Sequence, residues 1–375
     1  MNCIVRPITT EREMLDFIHV TDTIYEGCPQ YVPDLQADIR EFFDPKANAG
    51  LAFSEVKGFV AYRDGEPVGR IAGIINHRAN EKWQTAAARF SWIEFIDDID
   101  VARALLDAVA EWGREKGMQT LQGPMGITDF DKEGMLVEDF HLTGTMNTIY
   151  NHAYYPRHLE ALGFTKEADW VQIRVQIPKT VPQRYARVAQ YISQHKKLRV
   201  IKLTDADIKH GYGHKIFDLL NQAYAPLFGF SALSPEQVDA FITKYLGLID
   251  KQLIPVILNE QDEVVAAAIT MGCMSRAMQK AKGRLWPFGW WHLLKTLRWK
   301  HEPSVEMLLI GVRPDYQGMG VNALIFNDLI PIYNRYGFAW GETGPQLEDN
   351  TKELTQWAPM NPEFVKRRRC YVKAL

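Results

Sequence analysis

The stretch GVRPDYQGMGVNALIFNDL, residues Gly311 to Leu329, runs from the end of an apolar strand into an apolar helix, with two glycines at the join. Pro314 has a fixed φ and no N–H, so it stops the strand ladder. The helix starts within QGMGVN. Gly318 and Gly320 allow a positive φ and let the backbone approach a ligand closely. The first N–H groups of the helix have no internal partner, and the helix dipole places partial positive charge there. Together they form an anion site suited to a diphosphate, with Arg313 adding charge nearby. An ordinary strand-to-helix turn can carry the same two glycines, because short glycine motifs have a real false-positive rate.

Working outward, the second half of the chain opens with the strand KLRVIKLT. Two helical segments follow, then a hairpin around Glu260-Gln261-Asp262, the strand SVEMLLIGV and the helix that contains the join. The strand FAWGET, the helix NTKELTQWAPM and a final strand RRRCYVKAL complete it. The first half shows the same order: a strand at NCIVRPITT, a helix, a hairpin around Asp64-Gly65, the strand RFSWIEFID, the helix DVARALLDAVAEWGREKGM, the strand TLQGPM, a helix through YYPRHLEALGF and the strand DWVQIRVQIP. The repeat lies in element order, with little residue identity. Residues 1–180 and 198–375 read as two units joined by a helix at 181–197. Hairpins mixed with helical crossovers imply an α/β fold with mixed, mostly antiparallel sheets flanked by helices.

The pattern VRPDYQGMGVNAL resembles the coenzyme A loop of the GNAT superfamily of N-acetyltransferases. Gln317 and Gly320 match its Gln/Arg-x-x-Gly core, and Val312, Pro314 and Tyr316 match the stretch before it. Asn322 stands where Gly or Ala is expected. The resemblance implies that Leu309, Ile310, Gly311 and Val312 hold the pantetheine arm. It likewise implies that Gln317, Gly318, Met319, Gly320, Val321 and Asn322 hold the diphosphate, and that Asn350 belongs to the second signature. Trp357 occupies the position of that signature's tyrosine, and an indole cannot act as its acid. The first half resembles the family by element order only. Its equivalent join carries Asp97, Asp98 and Asp100, which cap a helix but repel a diphosphate. The expected plan is therefore a tandem of two GNAT-like units with coenzyme A or acetyl-CoA as co-substrate in the second and no metal.

The implied reaction is direct attack of an amine on a thioester, which needs a carboxylate to take the ammonium proton. Side chains alternate along a strand, which puts Glu306, Leu308 and Ile310 on one face. Glu306 is the first candidate base and Glu342 the second; each is also explained as a paired or solvent-facing strand carboxylate. Cys273 has no basic neighbour in sequence and reads as a small buried thiol. The insertion GRLWPFGWWHLLKTLRWKHE carries five large aromatic residues among basic ones. It reads as a helix packed on the sheet, then as the wall of a greasy pocket, then as a membrane-surface helix. The basic run Lys366 to Arg369 reads as a solvated edge strand or as a contact for the coenzyme's 3'-phosphate.

A net charge of −3 gives no sign of nucleic-acid binding. Four scattered cysteines form neither a zinc site nor a disulfide framework. No apolar run approaches a membrane span, and MNCIVRPITTERE lacks a signal-peptide pattern. The expectation is a cytoplasmic N-acyltransferase, transferring acetyl to a small-molecule or peptide amine. The alternative is a non-catalytic acyl-CoA-binding or sensing protein. Gly320→Glu is expected to abolish coenzyme binding while leaving the fold intact.

Overall fold

The computed structural model describes residues 3–299 and 301–375. In the first half, β1 (Ile4–Pro7), β2 (Ser54–Arg63), β3 (Glu66–Asn76) and β4 (Ala87–Phe95) are followed by β5 (Thr120–Gly123), the short β6 (Met135–Leu136) and β7 (Thr165–Gln176). In the second, β8 (Arg199–Lys202), β9 (Pro255–Leu258), β10 (Val264–Gly272) and β11 (Ser304–Val312) precede β12 (Trp340–Thr343), β13 (Gln346–Leu347) and β14 (Glu363–Ala374). The two parallel pairs, β4 with β5 and β11 with β12, are each bridged by a helix.

Those two helices are amphipathic for the reason the sequence suggests. In Ile99–Glu115, Val101, Leu105, Leu106 and Val109 are buried, and the Asp98 carboxylate caps the N–H groups of Asp100 (2.9 Å) and Val101 (3.3 Å). In Asn322–Tyr336, Leu324, Ile325, Phe326 and Leu329 are buried, and Gly337 ends the helix at φ 77°.

All the strands join one sheet, ordered β1-β2-β3-β4-β5-β14-β7-β12-β11-β10-β9-β8, with β6 on β14 and β13 on β7. The last strands of the two halves are thus exchanged. β14 lies beside β5, β7 lies beside β12, and the two pair with each other. The basic run is therefore not an edge strand. Lys366 and Arg368 are fully buried at the middle of the sheet, and their polar atoms find partners within it. Lys366 Nζ donates to Glu342 Oε1 (2.5 Å), and Arg368 donates to Gln172 Oε1 (3.1 Å), Thr148 Oγ1 (2.9 Å) and the Ile149 carbonyl. Arg369 grips the buried Asp169 with two hydrogen bonds (2.9 and 3.1 Å), and Arg367 adds a third at 3.2 Å.

Candidate active site

The strand β11 ends its pairing with β12 at Met307–Thr343. β13 then turns away to pair with β7. From Leu308 onward one edge of β11 has no strand beside it, and a wedge opens between the two. A bulge sharpens the opening: Leu309 faces Ile269 and Met307 faces Thr270, so Leu308 is the extra residue. This breaks the alternation expected for Glu306, Leu308 and Ile310. Leu308, Leu309, Ile310, Gly311 and Val312 all line a cavity of ≈1800 Å³; Glu306 does not.

The Tyr224 hydroxyl seals part of that open edge, donating to the Ile310 carbonyl (2.9 Å) and accepting from the Ile310 N–H (3.2 Å). Tyr224 ends the helix Gly213–Tyr224 and is a residue that sequence reasoning missed. Burial and the nearby carboxylates of Glu353 and Asp129 push its phenol upward.

The glycine loop lies at one end of the cavity. Gly318 and Gly320 have φ 76° and 81°. The N–H groups of Gly318, Gly320 and Val321 make no hydrogen bond within the described residues. That is the donor cradle a diphosphate requires. Gln317 Nε2 donates to the Val312 carbonyl (3.1 Å), tying the loop to β11. Met319 is exposed. Asn322 Nδ2 donates to Gln356 Oε1 (2.5 Å), and its Oδ1 is buried without a partner. Asn350 caps the helix Thr351–Thr355 by accepting from the Glu353 N–H (3.4 Å), and it also lines the cavity. A Cβ on Gly320 would meet Val188 at 2.8 Å, whereas one on Gly318 meets nothing within 4 Å. Gly320→Glu would therefore disturb the fold, which corrects the expectation above. Gly318→Asp is the cleaner change, because aspartate tolerates a positive φ.

Glu306 and Glu342 are neighbours across β11 and β12, and neither faces the cavity. Glu306 is buried, and among the described residues neither oxygen has a hydrogen-bond partner of good geometry; burial pushes it up to about 7, and the nearby Cys273 thiol and Met274 N–H offset this only in part. Glu342 is fully engaged: besides Lys366 it accepts from Gln172 Nε2 (3.1 Å) and Arg174 Nη2 (3.0 Å). Cys273 is buried, and burial pushes its thiol up to about 12, as fits an inert thiol. Trp357 is buried against Phe326 at 5.1 Å.

Most of the carboxylates that do face the cavity come from the first half. The loop between β5 and β6 brings Asp129, Asp131 and Glu133 to the wall. Asp129 Oδ1 and Glu133 Oε1 are buried and make no hydrogen bond. Burial pushes both carboxyls up; Asp129 raises Glu133 further, Asp131 adds to both, and Arg89 pulls both down. Phe130, between them, packs on Phe217 (6.0 Å), Phe241 (5.5 Å) and Tyr224 (6.4 Å) of the second half. The acidic loop is thereby seated opposite the residue that touches Ile310. The sequence signal was present in Asp129-Phe130-Asp131-Lys132-Glu133 but does not stand out from a solvated turn. Glu94 reaches the same cavity, held by Tyr25 (2.5 Å) and Tyr155 (2.8 Å).

A wedge between two parallel strands, a bulge beside it and a glycine loop at the following helix make up this site, and the chain that carries them superposes on solved structures. One is a tandem GNAT protein from the clavulanic acid biosynthesis pathway (TM-score 0.58, 11% identity, covering 100% of this chain and 98% of that one). The fold is a tandem GNAT fold. A GCN5-related N-acetyltransferase from Sphaerobacter thermophilus superposes with a TM-score of 0.51 at 10% identity, over 99% of this chain and 95% of the other. Two curated bacterial proteins are similar in sequence, each 25% identical over 384 residues and 99% of this chain. They are Protein YghO of Escherichia coli K12, 95% covered, and the bacterial ceramide synthase of Caulobacter vibrioides, 97% covered. No family model matches the chain.

Proposed function

We propose that the protein is an acyl-CoA-dependent N-acyltransferase acting on a long-chain amine. The observation that carries this is the continuity of the cavity, which runs from the glycine loop, along the open edge of β11, to the buried carboxylates of the acidic loop. Its walls between these ends are largely apolar, including Met271, Met274, Met278, Leu293 and Leu297. Acetyl and a small amine need little of that space. A long acyl chain or a long-chain base uses it, and the name of the Caulobacter relative points the same way.

The N–H groups of Gly318, Gly320 and Val321 hold the diphosphate in this reading, and Leu309 to Val312 line the pantetheine arm, with Asn350 beside it. Acyl-CoA supplies an activated thioester carbonyl. The ammonium group, seated between Asp129 and Glu133, favours the ionised form that burial alone disfavours, and the carboxylate so formed takes its proton, freeing the nitrogen lone pair for attack. The new C–N bond replaces the C–S bond, and the thiolate collects a proton. Glu353, pushed up to about 7 by burial, is a further carboxylate of this wall, contributed by the second half. Glu306 and Glu342 keep structural roles. Residues 1–180 and 198–375 act as two units joined by 181–197, one presenting the amine and one the thioester.

The test is to incubate purified protein with acetyl-CoA or palmitoyl-CoA and a C18 amino alcohol, following thiol release and amide mass. Amide formed from palmitoyl-CoA, and lost in Asp129→Asn, supports the reading. Tight palmitoyl-CoA binding without turnover across an amine panel selects the sensing alternative, which the buried Trp357 at the usual tyrosine position favours. Binding of neither thioester overturns both.

A further inference from the structure

The helix Gly289–Arg298 and the segment before it lie between β10 and β11, outside the acyl-transfer steps described above. Its inner side is apolar: the half-buried Leu285, Leu293, Leu294 and Leu297 form part of the cavity wall. Its outer side is aromatic. Trp286, Phe288, Trp290, Trp291 and Trp299 are exposed, from 43% for Trp290 to 79% for Trp286. They cluster, with Trp291 lying 5.9 Å from Trp290 and 5.7 Å from Trp299. A helix packed on a sheet would have turned these rings inward, and this one leaves them in water.

Charge singles out the occupant. Residues 276–301 contain seven Lys and Arg and no Asp or Glu, in a chain of net charge −3. Lys280, Lys282, Arg284, Lys295 and Arg298 are exposed. Arg276 and Arg284 have only long contacts, to Glu302 (3.8 Å) and Asp22 (3.9 Å). Among the described residues Lys280, Lys282, Lys295 and Arg298 have no ion-pair partner. Tryptophan and basic residues together, on a short amphipathic helix, suit the headgroup region of an anionic bilayer. A protein partner would need a complementary acidic surface, and a second copy would set this positive patch against its own likeness.

We propose that this face docks on an anionic membrane surface and that lipidic substrate enters the cavity past it. Trp290 both lines the cavity and reaches solvent, so the docked face and the cavity wall are one element. The docking stands independently of the catalytic assignment; the entry route rests on the acyl-transfer reading.

Flotation of the full chain with phosphatidylcholine vesicles, with and without about 30% phosphatidylglycerol, tests it. The parent should float with the anionic vesicles, bind neutral ones at least about tenfold more weakly, and release at high salt. Trp286→Ala/Trp299→Ala and Lys295→Glu/Arg298→Glu should each weaken binding about tenfold with circular dichroism unchanged. Acyl transfer to a short, water-soluble amine should be unaffected by these variants, and transfer to amine carried in anionic vesicles should fall. Failure of the parent to bind anionic vesicles overturns the proposal. So does binding that the variants leave intact, or a concentration-dependent dimer abolished by Trp286→Ala in a protein that ignores vesicles. Vesicle binding without any turnover would sustain the docking and count against the acyltransferase reading alone.

Discussion

Glu306 shows how a single buried carboxyl makes stability depend on pH. Its ordinary value is 4.5, and burial raises it to about 7. Between those values the folded chain holds a proton that the unfolded chain has released, so stability falls as pH rises from about 4.5 to 7 and then levels off. Glu306→Gln keeps the shape and removes the charge. It is expected to match the parent near pH 4 and exceed it by up to ~3 kcal/mol at pH 8, because each tenfold gain in proton affinity is worth about 1.4 kcal/mol. Urea unfolding at both pH values measures this; equal gaps would contradict it. The carboxylates that face the cavity behave differently. Asp129→Asn and Glu133→Gln should each lower kcat roughly 10²- to 10⁴-fold, the usual contribution of a general base. Calorimetric affinity for acyl-CoA should stay the same, since neither touches the glycine loop. Gly318→Asp should do the reverse, weakening coenzyme binding by placing an anion among the free N–H groups.

Among the elements, β14 carries the least expected environment. Four consecutive basic residues usually mark a solvent face, yet Lys366 and Arg368 lie at the centre of the sheet. Removing one partner from a buried ion pair leaves an uncompensated charge, at about 3–5 kcal/mol. Lys366→Met should lower stability by that order, and adding Glu342→Gln should recover part of it; chemical denaturation of the single and double variants measures the coupling. The insertion helix makes a second element-scale prediction. Leu294 lines the cavity, so Leu294→Trp should fill space and shift acyl preference toward shorter chains. A panel of acyl-CoA lengths reads the change, and an unaltered profile would place the acyl chain elsewhere.

At the scale of the whole molecule, the exchanged strands bind the halves into one folding unit. β7 needs β14 on one side and β12 on the other. Residues 1–180 and 181–375 expressed apart should each lack a central strand and precipitate or remain poorly structured. Together they should reassemble, as judged by circular dichroism and co-elution. Two separately stable halves would show that the exchange is dispensable. The cavity depends on the same arrangement, since its glycine-loop end and its acidic end belong to different halves.

How much of this could be read in the residues follows from the range of the interactions. The strand–glycine–helix join is local: Pro314, Gly318 and Gly320 act through their own backbone, and the structure bears out their tandem GNAT fold. The element order is legible for the same reason, because hydrophobic period and caps are properties of neighbours. The bulge at Leu308 is not, since a one-residue slip depends on the strand alongside, and it turns Glu306 away from the cavity. Nor is the fate of Lys366 and Arg368, whose partners are the Glu342 carboxylate and the neutral acceptors of Gln172 and Thr148. The acidic loop becomes meaningful only where Phe130 seats it against Tyr224. Short-range backbone chemistry determined the element order and the glycine loop. Contacts between residues far apart in the chain decided which carboxylates face the cavity and which strand sits at the centre, because burial and pairing exist only once the chain has closed on itself.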